Sequence, residues 1–135
     1  MSEESPQPQL FDIRRPEVNR SKVITRLCKT DMVRGDMQFL KGGGENELHA
    51  HLANDGFWLC MEGQFRFYGE GDEIIATLNP KEGILIPSGF SYWFESVGDD
   101  VAEILHVASL DPNLPDQRIG GAPTPDAILI DSHAG

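Results

Sequence analysis

The chain has 135 residues, enough for one domain with a hydrophobic core that needs no disulfide bonds. Hydrophobic residues make up 39% and charged residues 24%, which is the balance of an ordinary globular protein. The net charge is -11, from 11 basic and 22 acidic residues, and it opposes binding to nucleic acid or to an anionic membrane surface, so neither is expected as a partner.

The two ends of the chain differ in composition from its middle. Residues 1–20 are rich in Ser, Gln and Pro and show neither the basic start nor the apolar run of a signal peptide, so a cytoplasmic protein is expected. Residues 111–135 carry four prolines and a Gly-Gly pair, which a long helix cannot accommodate. We therefore expect an N-terminal arm over 1–20, a folded domain over 21–110 and a C-terminal arm over 111–135.

The middle of the chain consists of short β-prone runs separated by turns. The runs lie at 23–28, 36–41, 47–52, 57–62, 64–68, 73–78, 84–86, 92–96 and 101–110. Turn-forming sequences such as Glu62-Gly63 and Pro87-Ser88-Gly89 separate them. No segment keeps a helical period over three turns. Strands this frequent, without intervening helices, predict an all-β barrel or sandwich.

The most informative local pattern is His49-Ala50-His51. Two residues at i and i+2 of a strand face the same side, with Cβ atoms about 7 Å apart. Both imidazoles can therefore converge on one metal ion or on one substrate. Two solvent-facing histidines on an edge strand would show the same spacing, so the pattern alone leaves both interpretations open.

The surrounding residues resemble the cupin superfamily, and within it the small single-domain RmlC-like proteins. The family has two motifs, G-x5-H-x-H-x3,4-E-x6-G and G-x5-P-x-G-x2-H-x3-N. The matching positions are Gly43, His49, His51 and Gly63, followed by Pro87 and Gly89. The resemblance spans residues 30–110 and implies an antiparallel jelly-roll β-barrel, a small-molecule ligand and a homodimer.

The resemblance breaks at the positions where the family holds its metal. The position of the metal-binding Glu holds Gly56, and that of the second-motif His holds Tyr92, so two of the four usual ligands are in place. The candidates to complete the set are Asp55, Glu47 and His106. His106 could equally be a structural histidine of the barrel core rather than a metal ligand. Two histidines and a carboxylate would suit iron(II) or a similar first-row metal.

Strand parity adds side chains to the expected cavity. If position 56 and Tyr92 both face inward, every second residue from each does so too. The side chains expected to share this lining are Trp58, Cys60, Phe90 and Phe94, with Arg66 at the mouth. The result is an aromatic pocket for a flat or apolar ligand with Tyr92 as a polar contact, unless these rings simply form the barrel core.

Three functions are consistent with this sequence. The first is a metal-dependent oxygenase or isomerase whose ion (iron, manganese, nickel or zinc) is bound by His49 and His51. The second is a metal-free enzyme similar to the nucleotide-sugar 3,4-ketoisomerases, in which the same histidines transfer protons, Tyr92 acts as an acid, and Arg34 or Arg66 faces the diphosphate. The third is a ligand-binding cupin without catalysis. The metalloenzyme is the first expectation for the function, although a protein without any metal is equally open.

Overall fold

A computed structural model describes residues 5–42 and 47–114 in full, and residues 118–119 and 128–131 as backbone. Gly43, the first glycine of the family motif, lies outside the described residues. The described part of the chain is built from β-strands, with one short 3-10 turn at Glu70–Asp72 and no α-helix. It accordingly contains no helix of the length and apolarity that a membrane span requires. The all-β prediction is confirmed.

The described residues form eleven strands. They are β1 (Lys22–Lys29), β2 (Val33–Leu40), β3 (Ala50–His51), β4 (Gly56–Glu62), β5 (Phe65–Tyr68), β6 (Ile74–Leu78), β7 (Gly83–Ile86), β8 (Trp93–Ser96), β9 (Ala102–Ser109), β10 (Arg118–Ile119) and β11 (Ile128–Asp131). The nine predicted runs correspond in order to β1–β9. The largest differences are at β2, which begins earlier than predicted, and at β3, which is only two residues long.

The strands form a six-stranded sheet, ordered β11-β1-β2-β9-β4-β7, a three-stranded sheet, ordered β6-β5-β8, and the pair β10-β3. All pairings among the described strands are antiparallel except that of β1 with β11. The main core lies between the two larger sheets, because its buried side chains come from both. Trp58 of β4 lies 4.7 Å from Phe94 of β8, and Phe94 is stacked on Phe67 of β5 at 4.9 Å, measured between ring centroids.

The six-stranded sheet is buried on both faces at β1 and β2. Leu40 belongs to the main core, whereas Met37 and Phe39 point to the opposite face and form a second cluster with residues of β1. Val18 of the N-terminal arm packs on this second cluster, and Arg15 forms ion pairs with Glu62 and Glu103. Apolar residues thus occupy the outer face at β1 and β2, and the even-numbered residues of β2 face the barrel interior.

Candidate functional site

Backbone pairing brings His49, His51 and Tyr92 together. The amide N–H of His49 donates to the carbonyl of Tyr92 at 3.0 Å, and that of Tyr92 donates to the carbonyl of His49 at 2.8 Å. The His49 ring then lies 4.6 Å from the Tyr92 ring and 5.2 Å, edge-on, from the His51 ring. The three residues that the sequence proposed as catalytic therefore form one cluster.

Hydrogen bonds from the turn at residues 87–89 connect the second motif to the first. Gly89 has φ +87, a backbone conformation that favours glycine, and its N–H donates to the carbonyl of His51 at 2.8 Å. The N–H of Ser88 donates to Oδ1 of Asp55 at 2.9 Å. Asp55, a candidate metal ligand, is thus exposed and holds this turn, and it does not line the cleft beside His51.

His49 is held in one tautomer by the backbone. Its side chain is buried, and Nδ1 lies 2.9 Å from the carbonyl oxygen of Glu47. Because a carbonyl can only accept, Nδ1 carries the proton in the neutral ring and Nε2 keeps its lone pair. Glu47, another candidate ligand, contributes this carbonyl, while the residue itself is exposed.

A cleft of about 310 Å³, partly open to solvent, lies beside His51. The described residues that line it are Arg34, His51, Asn54, Gly56, Trp58, Ile86, Pro87, Tyr92 and His106. No carboxylate is among these described lining residues. The cleft combines polar side chains from three strands, β2, β3 and β9, and from two loops, with the ring of Trp58 among its lining.

His106 occupies the space next to Gly56. On β4, Gly56 is paired with Ala108 of β9, and a Cβ built on Gly56 would lie 2.9 Å from Nε2 of His106. The His106 ring is stacked on Trp58 at 3.8 Å between centroids, with 6° between the planes. Its imidazole therefore takes the room that a side chain at position 56 would need. This explains in physical terms why a glycine stands where the family motif has its metal-binding Glu.

His106 is a neutral side chain at physiological pH. Burial is the main cause that lowers its pKa from 6.5 to about 3, and the positive charge of Arg34 is the second. The neighbouring imidazoles of His51 and His49 and the ammonium of Lys22 act in the same direction. His106 can accept or donate a hydrogen bond in the cleft, but it carries no charge there.

This lowered pKa predicts that acid destabilises the protein through His106. Between pH 3 and 6.5 the unfolded chain binds a proton that the folded state excludes, so the free energy of unfolding rises with pH in that window and levels off above it. From pH 7 to pH 5 we expect a loss of roughly 1–2 kcal/mol relative to a His106→Gln variant. Urea titrations of both proteins at the two pH values measure it. Equal losses in the two proteins would contradict the assignment.

The other predicted lining residues lie elsewhere. Cys60 and Phe94 are fully buried in the core beneath the cleft, and burial raises the pKa of the Cys60 thiol to about 11. Phe90 is 40% exposed and lines a different groove, with Glu70 and Glu73. The alternation of inward and outward side chains along β8 does not predict the direction of Phe90, because β8 begins only at Trp93.

Arg66 is not at the mouth of the cleft. Its neighbours on β5, Phe65 and Phe67, are buried in the core, so Arg66 faces the other side of the three-stranded sheet. There it lies opposite Glu95, whose carboxylate accepts a hydrogen bond from the hydroxyl of Tyr68. Arg66 therefore supplies no charge to the site, and Arg34 does.

Sequence patterns did not place Ile86 and Asn54 in the pocket, and they left Arg34 and Arg66 as alternative sources of positive charge. Strand parity with the inward-facing Asp36 distinguishes Arg34, but this signal depends on β2 beginning at Val33. Ile86 ends a strand that faces the core. Asn54 lies in a loop, where no periodicity indicates the direction of a side chain.

The donor set does not fit a cupin metal centre. In residues 5–42 and 47–114, no three His, Cys, Asp or Glu side chains converge as metal ligands would. Asp55 holds a turn, Glu47 is exposed, and His106 is stacked on Trp58. Protein metal sites usually take at least three protein ligands, so His49 and His51 alone do not complete one.

Comparisons with known proteins agree with this architecture. No protein-family model matches the sequence, and no curated protein is significantly similar to it. The structure is similar to a cupin superfamily protein from Desulfitobacterium hafniense, with a TM-score of 0.61 and 16% identity over 73% of this chain and 84% of that one. For KdgF from Halomonas sp. the TM-score is 0.65, with 16% identity over 76% of this chain and 94% of that one.

A third solved structure, a sugar phosphate isomerase of the cupin superfamily from Silicibacter pomeroyi, gives a TM-score of 0.53 with 23% identity. That similarity covers 60% of this chain and 52% of the other. The chain thus has the cupin fold, and the resemblance noted in the sequence is confirmed at the level of the fold.

Proposed function

We propose that this protein is a small-molecule cupin that catalyses isomerase-type proton transfer on a small polar substrate, without a divalent metal. The observation that carries the proposal is that His51 and Tyr92 line one cleft while His49 is buried against both rings. The cleft thus has an imidazole and a phenolic hydroxyl among its lining side chains, and the His49 ring packs against both rings.

In the proposed reaction, the His51 imidazole takes a proton from a carbon next to the substrate carbonyl. The electron pair of that C–H bond forms a C=C bond, and the carbonyl π electrons move to oxygen. The hydroxyl of Tyr92 stabilises the negative charge that develops on this oxygen by a hydrogen bond. The first carbon carries a hydroxyl group, whose proton passes to this oxygen while a carbonyl forms on the first carbon. The proton on His51 goes to the former carbonyl carbon, so no oxidant or co-reactant is consumed.

Two further observations support an isomerase over an oxygenase. The metal ligands on which cupin oxygen chemistry would depend are not assembled by the described residues. One of the structures with the same fold is described as a sugar phosphate isomerase, a class whose chemistry moves protons next to a carbonyl. The similarity to that protein shows the fold alone, and the proposal therefore depends on the geometry of the cleft.

The experiment is deuterium exchange in D2O, followed by proton NMR, on a panel of aldoses, ketoses and their phosphates. We expect loss of the C–H signal next to the carbonyl of at least one compound, at the same rate with and without EDTA. Exchange that EDTA abolishes and an added metal restores would make the protein a metalloenzyme instead. Compounds that raise the melting temperature without exchanging would indicate a binding protein without catalysis.

A further inference from the structure

Arg34 is the only residue with a permanent charge among the described residues that line the cleft. Its side chain is 24% exposed, so three quarters of it is removed from water. Its Nε lies 3.2 Å from Oδ2 of Asp36 but makes no aligned hydrogen bond. Among the described residues, Asp36 is the one ion-pair partner of this guanidinium.

Asp36 neutralises Arg34 only in part. The other carboxylate oxygen of Asp36 contacts Nε of Arg26, so one carboxylate lies between two guanidinium groups. A guanidinium has five N–H donors in a rigid planar fork, and Asp36 engages one side of the Arg34 fork. The remaining donors of Arg34 are available to a ligand in the cleft.

The rest of the lining favours an anion in the same place. Arg34 faces His106, Asn54 and Tyr92, all of them uncharged hydrogen-bonding groups, and no described lining residue is acidic. Because the cleft is partly open to solvent, the body of a larger ligand can extend out of it while one polar group lies against Arg34.

We infer that the ligand of this cleft carries an oxyanion, a carboxylate or a phosphate group, which Arg34 binds through its planar fork. Paired N–H donors match the two oxygens of such a group, and hydrogen bonds between opposite charges are stronger than those between neutral groups. The net charge of -11 does not prevent this binding. Water and salt screen the repulsion between the anion and distant acidic residues, whereas the attraction of the partly buried Arg34 acts at short range and is screened less. The inference rests on the proposed function in that it takes this cleft as the substrate site.

The test uses inorganic phosphate and acetate as probes, with glycerol as the neutral control. Titration is followed by the NMR signals of the Arg34 side chain and of neighbouring amides in the wild type. We expect saturable shifts with one or both oxyanions and none with glycerol. An Arg34→Gln variant should bind the responsive anion at least about 10-fold more weakly, as judged from neighbouring amides. Asp36 keeps Arg26 as a partner in that variant.

The matched control is Arg14→Gln, which removes an exposed guanidinium of the N-terminal arm that is paired with Asp12. Its affinity for either oxyanion should equal that of the wild type. No response to either oxyanion, or equal binding by the Arg34→Gln variant, would overturn the inference. Deuterium exchange on a neutral sugar in that case would leave the proposed function standing. If an anion binds through Arg34 but no compound exchanges deuterium, the inference about Arg34 stands and the proposed catalytic function is wrong.

Discussion

Replacing His51 by asparagine is expected to slow deuterium exchange by a factor of about 10²–10⁴, the usual contribution of a general base. Asparagine keeps a polar side chain of similar length on β3, but it cannot accept a proton near neutral pH. The backbone bond from the N–H of Gly89 to the carbonyl of residue 51 does not involve the side chain. The fold should therefore persist, as checked by an unchanged melting temperature within a few degrees.

A Tyr92→Phe variant separates the role of the base, His51, from that of the hydroxyl that stabilises the negative charge on the substrate oxygen. It keeps the ring, which is stacked near Phe67, and removes only the hydroxyl. It should bind substrate and exchange more slowly than the wild type but faster than the His51→Asn variant. If the His51→Asn variant exchanged at the wild-type rate while the Tyr92→Phe variant did not exchange, the base would not be His51.

Replacing Gly56 by alanine should destabilise the fold by about 1–3 kcal/mol, the typical cost of an extra methyl group in a packed site. The added Cβ meets the His106 imidazole, which Trp58 restrains from the other side. In a His106→Ala background the same substitution should cost much less, because the contact that opposes it is gone. A double-mutant cycle measured by urea unfolding isolates this coupling.

Gly69→Ala is the matched control for Gly56→Ala. Gly69 has φ -99, and a Cβ there would lie 3.4 Å from a methyl group of Ile75, a contact close to ordinary. We expect a change within about 0.5 kcal/mol. Additive costs of Gly56→Ala and His106→Ala would show that His106 does not fill the space above Gly56.

Most of the barrel could be predicted because its strands have local signals. Alternation and turn residues located nine strands, and the turn at Gly63 has φ +85 with a close approach to Ala102 that a side chain would prevent. The cluster of His49, His51 and Tyr92 could be predicted from the same alternation together with the family motif. These features depend on residues close in the sequence, or on a motif that fixes their spacing.

The relation between Gly56 and His106 could not be predicted in the same way. It depends on the register between β4 and β9, which places two residues from distant parts of the chain side by side. Asp55 and His106 were two of the three alternative candidates to complete a metal site, but each is held by a different contact, with Ser88 and with Trp58. Phe90 was misplaced for a related reason, since the turn before β8 interrupts the alternation.

The measurement that tests the central claim most directly is metal content by mass spectrometry. Untagged protein is compared with a His49→Ala/His51→Ala double variant, as purified and after reconstitution with iron(II), manganese, nickel or zinc. We predict far less than one metal ion per chain and no difference between the two proteins, because the described donor set does not complete a site. Nearly one ion per wild-type chain, lost in the double variant, would contradict metal-independent catalysis.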